Sequence, residues 1–172
     1  EISRGDWSSD VCSSDLGDNL KRVTDSFALA ESRADLVIVT GGLGPTEDDL
    51  TLDAAQLVFD QELVEHEDSM EKIKSYYQRN QKFMSENNRK QARVFENASV
   101  FQNLEGMAPG QLVKHEDTLW VFLPGVPREM KYIMDEYIIP YLQNNYHIES
   151  QIVSEMMRFI GIGESDLETK LQ

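Results

Sequence analysis

The sequence predicts an α/β fold in which strands of a mostly parallel sheet lie between helices. Three observations carry this. Leu36-Val37-Ile38-Val39 and Leu119-Trp120-Val121-Phe122-Leu123 are short runs apolar at every position, the pattern of strands buried on both faces. Each run ends in a turn, Thr40-Gly41-Gly42 or Pro124-Gly125-Val126-Pro127, that leads into a stretch of helical periodicity. With 40% apolar and 27% charged residues, the 172-residue chain has the composition of one folded domain with a real core.

The opening stands apart from the rest. Ser8-Ser9-Asp10-Val11-Cys12 is nearly repeated by Ser13-Ser14-Asp15-Leu16 with neither helical nor strand period. Residues 1–16 therefore read as a non-native or disordered tail without function. Residues 17–145 read as the domain. Asp18 is placed to cap a helix carrying Leu20, Val23, Phe27 and Ala30 on one side. After the first apolar run, Thr51 or Thr46 is placed to cap a helix with Ala54, Ala55, Leu57 and Val58. Met70, Ile73, Tyr76 and Tyr77 mark a third helix, and residues 84–92 a polar loop entering a short one.

Val100-Phe101 reads as a short strand, 106–110 as a turn, 111–114 as a strand and 115–118 as a turn into the second buried run. Met130, Ile133, Met134, Tyr137 and Ile138 stand at helical spacing. Residues 146–172 read as the start of a smaller following subdomain, with a strand over 152–162 and a capping box at Ser165-x-x-Glu168.

Charge and cysteine content narrow the function classes. A net charge of −15 opposes nonspecific nucleic-acid binding and an anionic membrane surface, because phosphates would be repelled. The lone Cys12 excludes an intrachain disulfide and a thiolate zinc site, which suits a reducing cytoplasm. No apolar run approaches the roughly 18 residues of a membrane helix, and the opening lacks the order of a signal peptide. His66, His115 and His147 share no metal-ligand spacing.

The stretch with most chemistry is Thr40-Gly41-Gly42-Leu43-Gly44-Pro45-Thr46-Glu47-Asp48-Asp49. It follows a buried strand, where open α/β sheets place ligands. Its glycines let the backbone approach a ligand and present N–H groups. It has no lysine for a P-loop, and Glu47 stands where a dinucleotide fingerprint needs glycine. The acidic triplet beside phosphate-ready amides admits three readings. A divalent cation bridges carboxylate and phosphate, an aspartate accepts from ligand hydroxyl or amino groups, or the triplet is a solvated cap of the next helix. Pro124-Gly125-Val126-Pro127-Arg128-Glu129 occupies the matching place after the second run, and the two loops converge if their strands are neighbours. Taken alone, it is a strand stop and a helix start. Asn87-Asn88-Arg89 offers amide and guanidinium donors, though such a triplet is more often a loop and cap.

The ordered set TGGLGPTEDDLT, ENNRKQA, a GxAPG turn, LPGVPREM and RFIGIGES resembles the N-terminal domain of the CinA family. The resemblance implies the three-layer α/β/α sandwich of MoaB/MogA-type molybdopterin-binding proteins, here without the family's opening strand. Met107 stands where a threonine is common. The resemblance also implies a cytoplasmic, metal-dependent pyrophosphatase that splits ADP-ribose into AMP and ribose 5-phosphate, and a homo-oligomer.

By position, Thr40, Gly41, Gly42, Gly44, Pro45 and Thr46 would face the ligand, with Asn88 and Arg89 nearby and Pro124, Gly125 and Pro127 as the opposite wall. Asp49 and Asp48 would be catalytic. Together with Glu47 they would hold a divalent ion (Mg, Mn or Co). The alternatives are pterin or nucleotide binding without hydrolysis, and a non-catalytic assembly module.

Overall fold

The computed structural model describes residues 19–146, 158, 160–161 and 163–171. The chain forms two compact units, Glu1–Pro140 and Tyr141–Gln172; the sequence places the boundary at 145/146. The proposed tail, residues 1–16, lies outside the described residues.

Helix α1 (Leu20–Glu31) buries Val23 and Phe27. Its cap is Asn19 rather than Asp18, the side chain accepting from the Arg22 N–H at 3.0 Å. Strand β1 (Leu36–Thr40) follows, then α2 (Thr51–Phe59), which buries Leu52, Ala54, Ala55 and Phe59. Leu50 occupies the cap position of α2 with no side-chain cap bond. Neither expected threonine caps it, because Thr51 Oγ1 donates instead to the Gly41 carbonyl at 2.9 Å and Thr46 Oγ1 to Asp49.

Strand β2 (Leu63–Glu65) leads into α3 (Glu67–Arg79) and a 3-10 helix, Glu86–Ala92. Strands β3 (Arg93–Phe95), β4 (Ser99–Phe101), β5 (Gly110–His115) and β6 (Thr118–Leu123) come next. Helix α4 (Pro127–Ile133) then runs through a π-helical turn, Met134–Ile138, into α5 (Ile139–Tyr146).

The main sheet has the order β1-β6-β5-β4, and β2 and β3 form a separate antiparallel pair. The expected parallel pairing is present between β1 and β6, from Leu36↔Leu119 to Thr40↔Leu123. The other two described ladders of this sheet are antiparallel rather than parallel. The reason is local: β5 and β6 are joined by the two residues Glu116 and Asp117, and so short a link can only reverse the chain. Glu116 takes the left-handed conformation, φ 48°, to do so.

Every residue of β6 is buried, as a run apolar on both faces requires. Strand period two sends Trp120 and Phe122 to the face covered by α1 and α2, where Phe27, Phe59 and Val113 join them. Leu119, Val121 and Leu123 point to the other face, covered by α4 and its Ile133. Helices on both faces give three layers, α/β/α. Strand β1 differs from the fully covered strand its sequence predicts. It ends the described sheet with a partner on one side only, and Ile38 is 44% exposed.

A half-buried Arg93–Asp53 pair, with bonds of 2.7 and 3.3 Å, ties β3 to α2. Helix α6 (Glu164–Leu171) begins one residue before the expected capping box, so Ser165 lies inside its first turn. Of residues 152–162 only 158, 160 and 161 are described, none of them in a strand.

Candidate ligand site at the ends of the parallel strands

Because β1 and β6 are neighbours and parallel, the turns that follow them leave the same edge of the sheet. The Gly41 N–H donates to the Leu123 carbonyl at 2.9 Å, prolonging the ladder into the turn. A Cβ built on Gly125 would lie 3.1 Å from Gly41 Cα, so the two loops touch backbone to backbone. Gly42 adopts φ +67°, and a Cβ there would stand 2.1 Å from Thr51 Oγ1. Only glycine turns the chain between β1 and α2 without displacing Thr51.

The loops enclose an open cavity of about 390 Å³. Of the residues expected at a site, Gly41, Gly42, Gly44, Asp49, Pro124 and Gly125 line it. Thr40, Pro45, Thr46, Glu47, Asp48 and Pro127 do not, and neither do Asn88 and Arg89. The Asn88 side chain accepts from the Ser85 N–H and hydroxyl at 2.9 and 2.8 Å, and Arg89 pairs with Glu65 at 2.7 Å. That triplet is a cap and a surface pair. The next two residues of the same 3-10 helix behave differently. Gln91 lines the cavity, and Lys90 contacts Glu47 at 3.1 Å. Sequence reasoning passed over Gln91, Ala108, Val126 and Glu129, all of which line the cavity, as does the already noted Met107.

The acidic triplet separates into three roles. Asp48 is exposed, and Glu47 is exposed and paired with Lys90. Asp49 Oδ2 accepts from the Thr46 N–H at 2.9 Å and the Thr46 hydroxyl at 2.7 Å, folding the loop back on itself. Burial alone would raise the Asp49 carboxyl pKa. The Thr46 and Gly44 hydrogen bonds and the charge of Lys90 outweigh it and hold the group below its ordinary value.

Among the described residues no three His, Cys, Asp or Glu side chains converge into a metal cage. The cavity wall offers two carboxylates, Asp49 and Glu129, and no Lys or Arg. Asp49 is a hard oxygen donor of the kind a divalent ion takes when ligand oxygens complete its shell. His66 caps α3 and His115 pairs with Glu31 at 2.6 Å, so neither contributes to the site; His147 lies outside the described residues.

Comparison with known proteins decides the family. The model of the family described as "Probable molybdopterin binding domain" matches residues 13–144. This chain belongs to that family. Within it the chain is similar to CinA-type proteins, as its motifs indicate. It is 51% identical to a protein of Oceanobacillus iheyensis named as competence-damage inducible, over 91% of this chain and 37% of that one. It is 45% identical to a protein of the same name from Halalkalibacterium halodurans, again over 91% and 37%. The chain thus spans little more than a third of the curated relatives it matches. The crystal structure of CinA from Thermoplasma acidophilum, a protein of unknown function, matches with a TM-score of 0.63 and 30% identity over 72% of each chain. Among the described residues no helix of this molybdopterin-binding-type domain is long and apolar enough to cross a membrane.

Proposed function

We propose that the cavity binds a nucleotide-type phosphate ester and that the intact protein hydrolyses a nucleotide-sugar pyrophosphate, ADP-ribose yielding AMP and ribose 5-phosphate. The observation that carries the reading is the meeting of two strand-to-helix loops around a cavity whose volume suits a small ligand. Among the described residues the N–H groups of Gly42 and Leu43 have no backbone acceptor, which leaves them available to phosphate oxygens. Asp49 fixes the turn that presents them.

A divalent cation (magnesium, manganese or cobalt) would be held by Asp49 together with the ligand's own oxygens, with Asp48 and Glu47 as outer carboxylates. When bound, it supplies charge neutralisation at the diphosphate. Hydrolysis breaks one P–O bond of the bridge, and the attacking water supplies the new oxygen on phosphorus. The chain's part is to orient the diphosphate on the glycine turn and to keep the loop closed around it.

The test is AMP release from ADP-ribose with each of the three cations, in wild type and Asp49→Asn. Asparagine keeps an oxygen for the Thr46 donors and removes the charge. The expected result is cation-dependent AMP, reduced about 100-fold or more in the variant, the scale of losing one charge-stabilising group. An undiminished rate in Asp49→Asn would remove Asp49 from the mechanism.

The same variant carries a stability signature. The folded-state pKa of Asp49 lies below its ordinary value of 3.8, so its contribution is fully present above that value. It is lost as pH falls through the lower folded value. The difference in melting temperature between wild type and Asp49→Asn is therefore expected near neutrality and should disappear in strong acid.

Binding of a pterin without hydrolysis is the second reading, favoured by the family's own description. It predicts tight pterin binding with ADP-ribose left intact.

A further inference from the structure

We infer that Glu129 determines specificity at this site, accepting a hydrogen bond from a donor group of the ligand, a ribose hydroxyl or a base amino group, on the wall built by α4 and the Gly106 turn. The inference rests on the nucleotide reading of the cavity given above.

Glu129 sits in the first turn of α4 and lines the cavity. A Cβ built on Gly106 would coincide with its carboxyl group, 1.8 Å from Oε2 and 2.6 Å from Oε1, so the carboxylate lies directly against the backbone of the Gly106 turn. Oε2 accepts from Asn103 Nδ2 at 2.6 Å. Asn103 is only 1% exposed, and its other contacts lie within the turn: Nδ2 also donates to the Ala108 carbonyl at 2.9 Å, and Oδ1 accepts from the Glu105 N–H at 3.0 Å. Lys72 donates to the carbonyls of Asn103 and Gly106, and its charge is felt by Glu129.

A buried amide therefore holds this carboxylate, and a half-buried ammonium ties the turn beneath it. Among the described residues Oε1 has no hydrogen-bond partner. The cavity thus has two unlike walls. The turn after β1 offers backbone donors, which suit phosphate. The wall built on Glu129 offers an acceptor and repels anions. A nucleotide matches this polarity, because it carries phosphate at one place and hydroxyl and amino donors at another. A free inorganic phosphate uses only the first wall.

Glu129→Gln separates recognition from structure. The glutamine carbonyl can keep the bond from Asn103, which leaves the amide NH₂ toward the cavity, so an acceptor becomes a donor while the turn stays tied. Titration calorimetry with ADP-ribose, its hypoxanthine analogue and inorganic pyrophosphate, each with magnesium, reads the result. In Glu129→Gln, ADP-ribose affinity should fall about 10- to 100-fold, the range for one hydrogen bond to a charged group. Pyrophosphate should bind as well as to wild type, or more tightly.

If the hypoxanthine analogue loses as much as ADP-ribose, the donor is a ribose hydroxyl; if it is indifferent to the substitution, the donor is the base amino group. Unchanged ADP-ribose affinity overturns the inference, and so does a parallel loss for pyrophosphate, which would mark Glu129 as a tie for the turn alone. If wild type binds none of the probes, the nucleotide reading itself fails. Should the glutamine variant not fold, Glu129→Asp, which keeps the charge but withdraws it, is held to the same selective loss.

Discussion

Trp120→Ala is expected to lower the free energy of unfolding by about 3–5 kcal/mol, the range for removing a large aromatic side chain from a packed core. The indole is fully buried at the centre of β6, with ring centroids 5.2 Å from Phe27 and 5.0 Å from Phe59, and it stacks on Phe122 at 6.0 Å. No small rearrangement fills such a void, because its neighbours belong to two helices and the strand itself. Urea denaturation measures the loss, and a change below about 1 kcal/mol would show that the face collapses freely. Trp120→Phe is expected to cost much less. Among the described residues the indole Nε1 has no hydrogen-bond partner, so phenylalanine removes an unpaired buried donor along with part of the ring.

Gly42→Ala is expected to reduce ADP-ribose affinity by more than about 100-fold while lowering stability by only about 1–2 kcal/mol, the cost of forcing an L-residue into left-handed backbone. The added methyl meets Thr51 Oγ1 at 2.1 Å and the Thr51 backbone N at 3.2 Å. Either the turn or the start of α2 must shift, and with it the bond from Thr51 to the Gly41 carbonyl. Calorimetric titration beside a thermal melt separates the two effects. An affinity within a few-fold of wild type would mean that the ligand does not read this turn. Thr51→Ala in the same chain should recover part of the affinity, since it removes the closest clashing atom.

Much of the architecture was legible because burial on both faces leaves a distinctive mark. The Leu119 run could only be an interior strand, and the turns after it and after the Leu36 run could only meet if the two strands were adjacent. The strands that escaped notice, β2 and β3, are three residues each, too short to show a period, and β4, of the same length, showed only as the apolar pair Val100-Phe101. Caps moved by one residue at α1, because Asp18 and Asn19 carry the same chemistry in adjacent positions.

Of the residues expected at the site, the glycines and Pro124 line the cavity together with Asp49, whereas most side-chain candidates do not. In a 3-10 helix each residue turns about 120°, so which pair of ENNRKQA faces the cavity depends on a register that composition does not reveal. Asn88 and Arg89 were the natural choices by donor chemistry, yet Gln91 lines the cavity and Lys90 pairs with Glu47. Glu129 lay within the motif LPGVPREM but looked like an ordinary acidic residue in a first helical turn. Its partner Asn103 sits far off in sequence, and only the packing of the Gly106 turn brings them together.

Given the contact between Gly41 and Gly125, affinity for the proposed ligand would be a gauge of folding. The two halves of the cavity come from opposite ends of the domain's sequence and meet only once Leu36 has paired with Leu119. On that reading neither half binds as an isolated peptide, so occupancy would count only molecules in which β1 has paired with β6. A compound gripped by both loops also holds that pairing shut. At a hundred times its dissociation constant it deepens the native basin by about 2.7 kcal/mol. A library of destabilised variants could be ranked by how much ligand each needs to recover the native population, with no denaturant added.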